Sequence, residues 1–245
     1  GSGNLLLVGE TEIIGSWWSD GYGWRGDVSY TDLGYGDICF DDDEEDPELV
    51  VGRIIGDTAE KLMVPIQTSI DVHRGAGPVY FDRQSALLVS GSGDGVSEFE
   101  ESVDGASWDL HGVDSSFEEI DVMKAREIED LGLDVLNVFT TSLVSTTLYP
   151  RGRDVVLYRD HCLPHEWSGV VHDGDFPISL ADKAPILFGV CCQSGRYEGL
   201  TRPGIAARFL LAGGGVYIGA TENTYTDPNN EAVNFFFERW PHVDE

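Results

Sequence analysis

Val155-Val156-Leu157-Tyr158-Arg159-Asp160-His161 and Ile186-Leu187-Phe188-Gly189-Val190-Cys191-Cys192 are two short apolar runs that each end in residues able to do chemistry. Continuous runs of Val, Leu and Ile, without polar alternation, are what strands of a parallel sheet look like when both faces are covered. Parallel neighbours would deliver His161 and Cys192 to the same edge of the sheet. In open α/β sheets the functional site lies beyond the carboxyl ends of the strands.

Runs of the same kind occur at Leu5 to Val8, Leu49 to Ile55, Ala86 to Val89, Val135 to Phe139 and Val216 to Ile218. Between them lie helix candidates. Asp57 to Val72 opens on an acidic cap and carries Ala59, Leu62, Met63, Ile66 and Ile70 at helical spacing. Ser115 to Leu131 opens on a capping-box pattern, Ser115 followed by Glu118. Ile205 to Leu211 and Glu231 to Trp240 complete the set. This alternation predicts an α/β fold with a mostly parallel sheet and right-handed crossovers. Ser16 to Tyr35, rich in Gly, Trp and Tyr, and the acidic run Asp41 to Glu48 read as surface loops.

The chain has 245 residues, 41% of them hydrophobic, enough to bury one large core. Gly1-Ser2-Gly3 reads as a cloning remnant, leaving 4–245 as one domain excised from a longer protein. There are 44 acidic against 15 basic residues, a net charge of −29. That excludes the basic surface needed for nucleic-acid or anionic-membrane binding and favours cationic partners. The same charge also suits a protein adapted to high salt. No run of 18 apolar residues offers a membrane span. The run Asp41 to Asp46 has oxygen ligands for calcium but lacks EF-hand spacing, and a solvated acidic loop is the better reading. Cys39, Cys162, Cys191 and Cys192 make no convincing disulfide framework and no zinc spacing. Ser90-Gly91-Ser92-Gly93-Asp94-Gly95 fails as a dinucleotide loop, because Val96 stands where the third glycine belongs and the next stretch is acidic rather than helix-opening.

A thiol at a strand end, activated by a nearby imidazole, performs acyl transfer with backbone N–H groups as the oxyanion hole. Spacing alone does not establish such a pair among four cysteines and six histidines. The surrounding segments carry more. His161 is followed by Trp167 six residues on, and Cys191-Cys192-Gln193-Ser194-Gly195-Arg196-Tyr197 has a cysteine, two residues, a glycine and then an aromatic. Upstream lie Leu5-Leu6-Leu7-Val8-Gly9, Tyr35-Gly36-Asp37, and Val51-Gly52-Arg53-Ile54 before Asp57-Thr58-Ala59-Glu60. Downstream lie Ala206-Ala207-Arg208-Phe209-Leu210 and Gly214-Gly215-Val216-Tyr217-Ile218-Gly219-Ala220-Thr221. In this joint order, from about Asn4 to Trp240, the chain resembles the gingipain family of cysteine peptidases.

The resemblance implies a caspase-like three-layer sandwich and cysteine endopeptidase activity. It makes Cys192 the nucleophile and His161 the catalytic histidine, with the N–H groups of Cys162 and Cys192 as the oxyanion hole. Asp94 is the candidate for orienting His161, and Trp167 and Glu101 are candidate substrate-binding residues. The implied substrate is a protein or peptide with Arg or Lys before the cleaved bond, selected by an acidic pocket. No organic cofactor is implied, structural calcium is permitted, and the family setting is secreted or cell-surface. Two departures stand at the histidine: Asp160 and Cys162 occupy positions that are glycine in the family. His165 is an alternative base that breaks the spacing to Trp167. Trp17, Trp18, Trp24 and Trp108 are candidates for subsites or plain packing. His73, His111, His172 and His242 show no partner pattern. Arg151 and Arg153, in an expected loop, are candidate self-cleavage points. The rival readings are a non-catalytic caspase-like binding domain and a metal-dependent hydrolase using the acidic loops.

Overall fold

The computed structural model describes residues 3–20, 28–32, 35, 49–75, 81–91, 96–113, 117–124, 152–168, 171–176, 180 and 182–240. Strand β1 (Gly3–Val8) pairs in parallel with β4 (Leu49–Ile54), and between them β2 (Trp17–Asp20) and β3 (Val28–Thr31) form an antiparallel hairpin. Helix α1 (Ala59–Arg74) follows β4. Its N-cap is Thr58, whose hydroxyl accepts from the Lys61 N–H, rather than the acidic Asp57, and it closes on Gly75 at φ +59°.

The main sheet is built from β5 (Ser85–Ser90), β6 (Glu119–Lys124), β7 (Val155–Arg159), β10 (Ile186–Val190) and β11 (Val216–Gly219). Its strand order is β11-β10-β7-β5-β6 and every neighbouring pair is parallel. A short hairpin, β8 (Glu166–Trp167) with β9 (Val171–His172), lies between β7 and β10 in the chain. The remaining helices are α2 (Val96–Val113), α3 (Ile205–Leu211) and α4 (Thr226–Arg239).

Period-two alternation divides the sheet's side chains between two cores. Leu87, Val89, Val156, Tyr158 and Leu187 face one way, against Trp167, Val171, Ile205, Phe209 and Leu210. Ala86, Leu88, Val155, Leu157 and Phe188 face the other, against Val103, Ala106 and Leu110 of α2 and Val233 and Phe237 of α4. Helices thus cover both faces, and the three-layer architecture expected of the fold is present.

Four local expectations need correction, the first being the expected loop Ser16 to Tyr35, which carries the β2–β3 hairpin. The segment read as a helix from Ser115 to Leu131 holds strand β6 instead. There Ile120 and Val122 pack on the α2 face while Asp121 and Glu119 meet Arg153 on the other, so the residues follow a two-residue period that the capping-box signal masked. Conversely, the acidic stretch after Gly95 is a helix: Phe99, Val103, Ala106 and Leu110 of α2 are buried at helical spacing beneath an acidic outer face. Finally, β1 and β4 form a sheet of their own. The expected strand at Val135 to Phe139 and the acidic run Asp41 to Asp46 lie outside the described residues.

The amino ends of the central strands are fastened by one buried carboxylate. Asp154, immediately before β7, accepts from the N–H groups of Gln84 (2.9 Å) and Ser85 (3.0 Å), from the Ser85 hydroxyl (3.1 Å) and from the Lys183 ammonium (3.0 Å). Lys183 also pairs with Asp82. Burial pushes the Asp154 carboxyl up, but the hydrogen bonds from Asp82, Lys183 and Ser85 outweigh it and hold the carboxyl below its ordinary value. Arg153 is buried beside it and pairs with Asp121 and Glu119, a placement that removes it as an exposed self-cleavage point. Arg151 lies outside the described residues.

Candidate active site

At the carboxyl ends, β7 and β10 run in parallel register with Val190 opposite Arg159. His161 and Cys192 each stand two residues past that last pair, so both emerge at one edge. Beside them, Cys162, which follows His161, and Cys191, which precedes Cys192, form a disulfide with Cα atoms 5.4 Å apart. The four cysteines therefore do include a bridge, contrary to the sequence reading. Its partners are 29 residues apart in the chain and meet only because two parallel strands end level with each other.

Cys192 is a free, partly exposed cysteine at the start of a tight turn. Its thiol lies 3.5 Å from the Thr224 carbonyl, to which it donates, and the Thr224 N–H donates back to the sulfur at 3.5 Å. The turn docks on the segment after β11: the Gln193 N–H donates to Glu222 and the Gly195 N–H to Ala220, both at 2.9 Å, while the Ser194 hydroxyl donates to the Gly189 carbonyl. Gln193 adopts φ +54°, a left-handed conformation unusual for a residue with a side chain. Gly195 is required by contact, since a Cβ there would sit 2.5 Å from the Gly219 carbonyl oxygen.

On the other side, His161 is exposed, its ring edge-on to Phe99 of α2 with centroids 5.5 Å apart. Its main chain is held at both ends: the His161 N–H donates to Asp160 Oδ1 at 2.7 Å, and the Ser168 hydroxyl donates to the His161 carbonyl at 2.5 Å. Asp160 is buried rather than cleft-facing. Tyr158 donates to its Oδ2 at 3.4 Å, and the carboxylate fills the space that any side chain on Gly91 would need. Burial, with the Asp160 charge as the second cause, raises the Tyr158 hydroxyl well above its ordinary value.

Beneath both groups lies Arg159, 1% exposed. Its guanidinium donates to the Val190 carbonyl (3.1 Å), the Thr226 carbonyl (3.0 Å) and Asn230 Oδ1 (2.7 Å), and stacks 4.7 Å from the centre of the Phe99 ring. Burial lowers its pKa to about 10, with Asp160 and Cys192 pulling the other way, so it is charged at neutral pH. Sequence reading missed Arg159, Phe99, Thr224 and Asn230. For Arg159 a signal existed, a lone cation ending a strand that is apolar on both faces. For Phe99 the helical spacing with Val103, Ala106 and Leu110 was a signal, and for Thr224 and Asn230 there was none.

Of the other candidates, Cys162 is buried with its sulfur in the α3-side core, so its side chain, unlike the family's glycine, is accommodated away from solvent. Trp167 is 1% exposed and stacks on Tyr158, with centroids 4.5 Å apart, so its ring forms core rather than an open subsite wall. Glu101 is exposed on α2, two residues beyond Phe99. Asp94 and His242 lie outside the described residues, as do Trp24 and the side chains of Trp17 and Trp18. Trp108 is 79% exposed on α2. His165 Nδ1 lies 3.3 Å from the buried Asp173 carboxylate, which also meets Arg202. His73 and His172 are exposed, and so is His111, whose Nδ1 meets the Ser107 carbonyl at 2.8 Å. Among the described residues no group of three or more His, Cys, Asp or Glu could hold a metal ion, and no helix is long and apolar enough to cross a membrane.

A parallel sheet between helical layers, with a histidine and a cysteine at the carboxyl ends of adjacent strands, defines a caspase-like α/β fold. The chain belongs to peptidase family C25, the gingipain family, whose model matches residues 3–242. Solved structures show the same architecture. A protein described as a protease superposes with a TM-score of 0.73 at 16% identity, over 95% of this chain and 48% of its own. The Arg-specific cysteine proteinase gingipain R (RgpB) gives 0.70 at 17% identity, over 98% and 53%. The complex of Porphyromonas gingivalis RgpB pro- and mature domains gives 0.67 at 18% identity, over 97% and 55%. The chain thus spans about half the length of these structures. A comparison with curated proteins finds no match.

Proposed function

We infer that the chain is a cysteine endopeptidase working through a Cys192–His161 dyad. The observation that carries this reading is the parallel register of β7 and β10, which brings both residues to one sheet edge in a member of peptidase family C25. Cys192 Sγ attacks the peptide carbonyl carbon, and the developing oxyanion accepts from the N–H groups of Cys192 and Cys162. His161 takes the thiol proton and passes it to the leaving amine, giving a thioester that water then hydrolyses. No organic cofactor enters these steps. The disulfide at Cys162 supports the assignment, because it draws that side chain into the core and so keeps it out of the cleft at a position where the resemblance implies glycine. Asp94 remains the candidate for orienting His161. Calcium, if bound, would serve the acidic loops structurally rather than the reaction.

A preference for Arg or Lys before the cleaved bond fits the net charge of −29, whereas Glu101, exposed on α2 two residues beyond the buried Phe99, lies on another face of the helix from the His161 contact. A disulfide beside the site suits a secreted or cell-surface setting, where oxidising conditions preserve it. Fluorogenic peptides with Arg, Lys or Asp at that position provide the test. Cleavage of the first two, lost in Cys192→Ala and reduced about 10²–10⁴-fold in His161→Ala, is expected. Cleavage that survives Cys192→Ala would refute the dyad, and a folded protein that cleaves none of the three would indicate a binding domain.

A further inference from the structure

We propose that the Cys162–Cys191 disulfide is a positioning clamp for the dyad, joining the residue after His161 to the residue before Cys192, so that opening it slows catalysis without unfolding the domain. The proposal rests on the dyad assignment and deepens it. The regular ladder between β7 and β10 stops at Val190 and Arg159, and the catalytic residues stand beyond it. Past that point each is tied to its own surroundings, His161 by Asp160 and Ser168, Cys192 by Thr224. The disulfide links the two strand ends to each other, with Cα atoms 5.4 Å apart. Both its residues are buried, at 6% and 1% exposure, in the core that holds Tyr158 and Trp167. The clamp is therefore anchored to a rigid base, and it also fixes Cys162, whose N–H is assigned to the oxyanion. Small displacements of reacting groups cost large factors in rate, about 10²-fold for an ångström.

A dithiol opens the clamp in two exchanges: its first sulfur attacks one cysteine sulfur and displaces the other as a thiol, and its second then closes a cyclic disulfide and releases the first cysteine. The dithiol is oxidised, Cys162 and Cys191 are each reduced, and Cys192 is unchanged. The nucleophile needs mild reducing conditions and the clamp needs the absence of strong ones, so activity should peak at intermediate reducing strength.

The test compares the protein in a weak monothiol, the same protein in increasing dithiol, and Cys162→Ala/Cys191→Ala, with an arginyl fluorogenic peptide as substrate. Alkylation followed by peptide mapping reports the state of each cysteine, and circular dichroism confirms the fold. The clamp predicts that Cys162 and Cys191 resist alkylation until dithiol is added. As they open, kcat should fall about tenfold or more with KM changed less than about threefold, while the folded double variant shows the same low kcat whatever the dithiol. If the double variant does not fold, the dithiol series on the original chain decides alone. An unchanged kcat in the opened, folded protein overturns the proposal even if thermal stability drops, and so does free alkylation of both cysteines before reduction. Cys192→Ala separates the two claims: cleavage persisting there refutes the dyad, whereas a dead Cys192→Ala beside an opened protein of full kcat refutes only the clamp. No cleavage of arginyl, lysyl or aspartyl peptides by the clamped, folded protein would overturn both.

Discussion

Asp160 occupies a position that is glycine in the resembling family, and its carboxylate lies inside the sheet edge, against Gly91 and under the His161 N–H. Gly91 leaves the room that the carboxylate fills, since a Cβ on Gly91 would come within 1.7 Å of the Asp160 carboxylate. Gly91→Ala should therefore destabilise the protein by about 1–3 kcal/mol through overpacking, measured by denaturant unfolding, and Gly91→Ala/Asp160→Gly should recover much of the loss. At the opposite end of β7, Asp154 has its pKa lowered and Lys183 has its pKa raised. A lowered carboxyl stabilises above its ordinary value of 3.8 and loses that contribution as pH falls through the folded value below it. A raised ammonium stabilises below 10.5 and loses its contribution as pH rises past that. Asp154→Asn should cost about 3–5 kcal/mol between these limits and flatten the acid limb of a plot of Tm against pH. His161 and Cys192 were legible as strand ends. Asp154 was not singled out, because its importance lies in partners drawn from distant segments.

Among the elements, α2 carries most of what sequence reading missed. Its Phe99 touches both the His161 ring and the Arg159 guanidinium, so the helix forms a wall of the site as well as a layer of the fold. Phe99→Ala should cost about 3–5 kcal/mol in denaturant unfolding, and activity at temperatures well below Tm should fall through altered kcat. The periodicity of Phe99, Val103, Ala106 and Leu110 was present in the sequence but hidden by the glycines and acids around it. Strand β6 failed for the opposite reason: its helical signals were local, and pairing with β5 overrode them. The strands that proved easiest to read, β5, β7 and β10, are those buried on both faces, whose composition depends least on context.

For the whole molecule, two fasteners hold the central strands, the Asp154–Lys183 cluster at the amino ends and the Cys162–Cys191 bridge at the carboxyl ends. The bridge spans 29 residues, for which loop-closure entropy gives about 3–4 kcal/mol of stabilisation, so the reduced protein should unfold at correspondingly lower denaturant. The net charge of −29 should make stability rise with added salt up to about 1 M, where the Debye length is about 3 Å, and a Tm that falls with salt would count against repulsion as the dominant surface effect. The central claim, that Cys192 is a nucleophile activated by His161, is tested most directly by intact mass after incubation with an arginyl chloromethyl ketone. The account predicts a single adduct mapped to Cys192, absent in Cys192→Ala and formed far more slowly in His161→Ala. No adduct on the folded protein with arginyl, lysyl and aspartyl reagents alike, or an adduct that persists in Cys192→Ala, would contradict it.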